Sequence, residues 1–77
     1  MSENTYTTAD YYETALLFTC GYKLVNTDRN GERINFIFSN KESCEEVIKK
    51  YFANELKVKA RDFVEGLKTV KSYIFRR

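Results

Sequence analysis

The 77-residue sequence has no histidine, no proline and no tryptophan, and each absence narrows what the chain can do. Without histidine the commonest general base near neutral pH is missing, and Ser, Thr or Cys nucleophiles lack their usual activating partner. The two cysteines, Cys20 and Cys44, form no CxxC motif and have no histidine to complete a zinc site. No catalytic residue, metal site or cofactor is expected. With no proline and three glycines, no stretch reads as a linker or a low-complexity tail. Gly21, Gly31 and Gly66 stand apart, whereas a phosphate-binding loop needs glycines at close spacing. No apolar run approaches the roughly 18 residues of a membrane span, so no membrane partner is expected. Met1 to Thr5 is polar, with neither a basic n-region nor an apolar run. That reads against a signal peptide and makes the cytoplasm the expected location. There the cysteines should be reduced. Both fall on apolar positions and should be buried as small hydrophobes.

What is present describes a globular chain. Hydrophobic residues make up 43 % and charged residues 31 %, which separates it from disordered sequences. One domain over residues 1–77 is expected, with 1–6 as a flexible start. So short a chain buries only roughly 60 % of its unfolded surface. Six Tyr and six Phe supply large buried areas per residue.

The periodicity predicts an α+β domain in the order α-β-β-α-α. The first helix should start near Thr7 or Thr8, with Thr7 and Asp10 at capping-box spacing, and stop before Gly21. Tyr12, Ala15, Leu16, Thr19 and Cys20 form its inner stripe, widened by Leu17 and Phe18. A hairpin follows, Tyr22 to Asp28 and Glu32 to Ser39, around Asn30-Gly31. A two-residue loop at Asn30-Gly31 would split Leu24 and Phe36 between opposite faces. A three-residue loop with Gly31 in a bulge sets Leu24 opposite Phe36 and puts Tyr22, Leu24, Ile34, Phe36 and Phe38 on one face; that register is the expectation. Ser39 and Glu42 read as a capping box for the second helix, with Cys44, Val47, Ile48, Tyr51 and Phe52 at helical spacing and Asn54 as its stop. Residues 54–59 alternate and suit either a short third strand or an extended connection. The last helix spans about Ala60 to Ile74, with Phe63, Leu67, Val70 and Ile74 inside. Gly66 is unfavourable there unless it permits a close helix contact.

Five stretches resemble one family: T-T-A-D-Y-Y, G-Y-K-L-V-N, F-I-F, Y-F-A-N-E-L-K-V and L-K-T-V-K-S-Y-I. It comprises short bacterial and phage proteins catalogued as a domain of unknown function, and the likeness runs from about Thr7 onward. The resemblance implies a bacterial, phage or mobile-element setting and supplies no catalytic residue, cofactor or activity.

Charge is unevenly spread. Residues 1–46 hold 4 Lys/Arg against 8 Asp/Glu, a net of −4; residues 47–77 hold 9 against 3, a net of +6. Glu42, Glu45 and Glu46 are explained by the helix dipole and by Glu45–Lys49 and Glu46–Lys50 pairing. Cys44, in a first turn, could have a lowered pKa, although its place on the apolar stripe favours burial. On the last helix Arg61, Lys68 and Arg76 lie away from the apolar stripe, with Glu65 among them. Together with Lys49, Lys50 and Lys57 they are the candidate nucleic-acid-binding residues, since a basic helical face beside aromatics can hold phosphates and stack bases. The expected function is a non-enzymatic binding module for DNA or RNA. The alternative is a protein-interaction module: a homodimer, a small inhibitor or an accessory subunit.

Overall fold

The computed structural model describes residues 4–75. It contains β1 (Thr5–Thr8), α1 (Tyr11–Thr19), β2 (Leu24–Asn30), β3 (Arg33–Ser39), α2 (Lys41–Phe52) and α3 (Ala60–Ile74). The three strands form an antiparallel sheet in the order β1-β3-β2. This is the expected α+β class in the order β-α-β-β-α-α.

The third strand is β1. Residues 55–59 form a connection without regular secondary structure, so no strand precedes α3 there. The run Thr5-Tyr6-Thr7-Thr8 is rich in β-branched and aromatic residues, which suit a pleated surface. Thr7 pairs with Ile37 instead of capping a helix. Asp10 caps α1 itself, its Oδ1 accepting from Tyr12 N at 2.9 Å and Glu13 N at 3.0 Å. Of the expected flexible start, Met1–Glu3 lie outside the described residues, while Thr5 and Tyr6 belong to β1.

The hairpin corrects the expected register. Asn30 faces Arg33, so the loop is Gly31-Glu32, two residues long, and Thr27 lies opposite Phe36. Gly31 takes φ +68°, the left-handed value expected of it. The ladder then slips by one residue between Leu24 and Asn26, which brings Leu24 opposite Phe38. The pattern required one extra residue so that Leu24 and Phe36 share a face. The structure places it at Val25, which is exposed, rather than at the turn.

The α2 capping box does not form. Ser39 stays in β3, and Asn40 turns the chain at φ 68° without a side-chain cap. Asn4 substitutes: its carbonyl accepts from Asn40 N at 2.9 Å, and its Oδ1 accepts from Lys41 N at 3.2 Å. At the other ends, α1 and α2 close in the same way. Gly21 N donates to Phe18 O and Tyr22 N to Leu17 O; Asn54 N donates to Tyr51 O and Glu55 N to Lys50 O. Both are the paired bonds of a Schellman motif, with Gly21 and Asn54 at positive φ.

Phe36 and Phe38 of the central strand are the centre of the core, covered by Ala15 and Leu17 of α1, Cys44 and Ile48 of α2 and Val70 of α3. Phe18 stacks on Tyr73, which also meets Phe36 edge-on. Two stripes differ from expectation. On α1, Tyr12 and Cys20 face solvent while Thr14 and Leu17 are fully buried. On α2, Phe52 is 71 % exposed, because the last turn overhangs the core. Gly66 explains the α1–α3 contact: a Cβ there would stand 2.6 Å from Thr19 Oγ1 and 2.7 Å from Ala15 O.

Candidate nucleic-acid interface

The inner side of α3 is set by Phe63, Gly66, Leu67, Val70 and Tyr73, all buried or half-buried. At about 100° per residue the opposite side carries Arg61, Val64, Glu65, Lys68, Lys71, Ser72 and Phe75, and every one is exposed. Three cations therefore share one face with two exposed apolar side chains, Val64 and Phe75, the latter 72 % exposed. Glu65 is the one carboxylate there. It already pairs with Lys68 at 3.8 Å, both side chains well exposed, so the pair contributes little to stability. Thr69 Oγ1 donates to Glu65 O and Ser72 Oγ to Thr69 O, which engages these hydroxyls with the helix's own backbone. What α3 offers outward is positive charge.

Of the candidate residues, Arg61 and Lys68 lie on this face, and Arg76 lies outside the described residues. Lys49 and Lys50 sit on α2 and line a separate shallow hollow with Glu46, Ala53 and Glu55. Lys57 lies in the connection before α3. With Lys59, Thr19, Cys20, Val58 and Asp62 it lines an open hollow of about 420 Å³ at the start of α3. The five described candidates thus divide between two helices and a connection. Lys71 was overlooked as a site residue. Its signal was its spacing, three residues beyond Lys68 on the same side.

The remaining chemistry is muted. Burial pushes the Cys44 thiol above its ordinary value, and its Sγ donates to Ser39 O at 3.4 Å. Desolvation raises the Cys20 thiol as well, even though the residue as a whole is exposed, which corrects its expected burial. Both thiols therefore stay protonated at neutral pH, the less reactive form. Tyr6 Oη and Thr8 Oγ1 each donate to Glu13 Oε1 at 2.9 Å, tying β1 to α1. Burial, and then the bond to Glu13, push the Tyr6 hydroxyl well above its ordinary range. Among the described residues no group of three or more His, Cys, Asp or Glu could hold a metal ion, and no helix is long and apolar enough to cross a membrane.

A family model described as Domain of unknown function (DUF5659) matches residues 3–76. No curated protein and no solved structure matches the chain.

Proposed function

This chain belongs to the family described as Domain of unknown function (DUF5659), and we propose that it is a non-enzymatic module that holds the phosphate backbone of DNA or RNA on the outer face of α3. One observation carries the reading: that face exposes Arg61, Lys68 and Lys71 against a single carboxylate that is already engaged with Lys68. Exposed cations in a row attract a polyanion and release its condensed counterions on contact. Phe75, at the end of the face, offers a ring on which an unpaired base can stack. The bacterial or phage setting implied by the resemblance, and a cytoplasmic location, would give such a module access to nucleic acid.

Fluorescence anisotropy with single- and double-stranded DNA and RNA tests the proposal. Three phosphate contacts on duplex DNA should give a slope of log affinity against log salt of about −3, with little sequence preference. Combining Arg61→Glu, Lys68→Glu and Lys71→Glu should abolish binding with an unchanged circular dichroism spectrum. Absence of binding to all four nucleic acids at low salt, where attraction is strongest, overturns the reading.

A further inference from the structure

The outer face of α3 is ordered as well as basic. Arg61, Val64, Lys68, Lys71 and Phe75 follow one another at steps of three, four, three and four residues, and all are exposed. Such steps keep side chains on one line along a helix, here about 21 Å long at 1.5 Å per residue. Cations and apolar groups are thus interleaved in a single stripe, which ends on a ring that is 72 % exposed. A residue from outside the helix joins it at that end. Arg29 of β2, itself exposed, donates through Nη2 to the carbonyl oxygen of Ile74 at 3.2 Å, one residue before Phe75. That bond uses one of the five N–H donors of a guanidinium. Positive charge is therefore held at the same end of the stripe as the ring, by a strand from the acidic half of the sequence.

We propose that this face selects single strands over duplexes: one unpaired base stacks on Phe75, Arg29 holds the phosphate next to it, and Arg61, Lys68 and Lys71 follow the backbone onward. The inference rests on the phosphate-binding reading of the same face and adds what the cations alone do not decide. A duplex satisfies cations equally well, but its base faces are covered by their neighbours and its outside is phosphate and sugar. It would leave the Phe75 ring in water. A single strand offers phosphates and open base faces together, which matches a stripe that interleaves charged and apolar groups. Every base has such a face, so the preference is for unpaired strands of any sequence. The chemistry recognised is a phosphodiester beside an unpaired base, which strands of DNA and of RNA both supply.

Competition followed by fluorescence anisotropy provides the test. The full chain binds a labelled thymidine oligomer of about 15 nucleotides, within the reach of one small domain. Unlabelled thymidine oligomer, uridine oligomer or relaxed circular duplex, which has no ends, then displaces it. Each strand should compete at least about fivefold better than the duplex per phosphate, the smaller end of what one base stacked on an aromatic ring contributes. Phe75→Ser should remove that preference without lowering the thermal midpoint, because the ring is exposed, whereas Phe75→Tyr should keep it. Four phosphate contacts on a single strand give a slope of log affinity against log salt of about −2.8. Arg29→Gln should reduce its magnitude by about 0.7, and Arg29→Lys should leave it unchanged. No binding to strand or duplex at low salt would overturn the phosphate-binding reading together with this one. Equal competition by the duplex, or a preference that survives Phe75→Ser, would overturn the selection of single strands alone. An unchanged slope in Arg29→Gln would remove Arg29 from the site.

Discussion

At Gly66 the helix propensity of a residue and the space available to it act in opposite directions. Alanine is favoured over glycine inside a helix by about 1 kcal/mol. Here its methyl group would meet the Ala15 carbonyl at 2.7 Å, and a backbone oxygen in a neighbouring helix cannot swing aside. Overpacking of this kind costs about 1–3 kcal/mol, so Gly66→Ala should lower stability. A urea midpoint above that of the parent would show that α1 and α3 can separate freely. Tyr6 gives a second test at this scale. Its ordinary value is 10.0, and burial with the Glu13 bond raises it in the folded chain. Above about pH 10 the unfolded chain sheds this proton while the folded chain keeps it, so stability falls as pH rises. Tyr6→Phe removes that contribution. Urea unfolding from pH 8 to 11 should show a shallower alkaline loss in the variant than in the parent; parallel slopes would mean that Tyr6 titrates alike in both states.

Among the elements, β1 has consequences beyond its four residues. It supplies one edge of β3 with partners from Thr5 to Thr8, and it positions Tyr6 and Thr8 over Glu13. Asn4, just before it, accepts the first N–H groups of α2. Removing residues 1–8 should therefore cost at least about 2 kcal/mol, on the scale of burying one large side chain, and should loosen α2. Hydrogen exchange should show lost protection first in β3 and in the first turn of α2. If the truncated chain had the urea midpoint of the parent, β1 would contribute nothing to stability.

For the whole molecule, the margin is small. A domain of this length has about 4–12 kcal/mol of stability at 0.05–0.15 kcal/mol per residue. Phe36 sits on the central strand, 1 % exposed, between Thr8 of β1 and Thr27 of β2, with Tyr73 of α3 against its ring. Phe36→Ala should cost about 3–5 kcal/mol, a large share of that margin. A thermal scan in which the variant melts like the parent would remove Phe36 from the centre of the core. The helices also separate the charges: α3 turns three cations outward, while α2 leads with Glu42, Glu45 and Glu46 and ends with Lys49 and Lys50. A net charge of +2 thus conceals one basic face and one mixed face.

Some of this was legible in the residues alone. The bounds of α3, the stops at Gly21 and Asn54, the positive φ of Gly31 and the close approach at Gly66 all follow from signals within a few residues, such as helical spacing or the absence of a Cβ. The shared face of Leu24 and Phe36 was also determined, because strand parity requires one extra residue. Only the tertiary structure decided where that residue sits, at Val25 instead of the turn, since parity is the same for either. Likewise β1 exists because β3 offers it an edge more than 25 residues along the chain, and the cap of α2 comes from Asn4, 37 residues before Lys41. The outer face of α3 was visible in part as Arg61 and Lys68, because an exposed stripe follows directly from a buried one. The overhang of Phe52 was hidden: an apolar residue on an apolar stripe reads as core, and where the core ends depends on the elements packed beneath it.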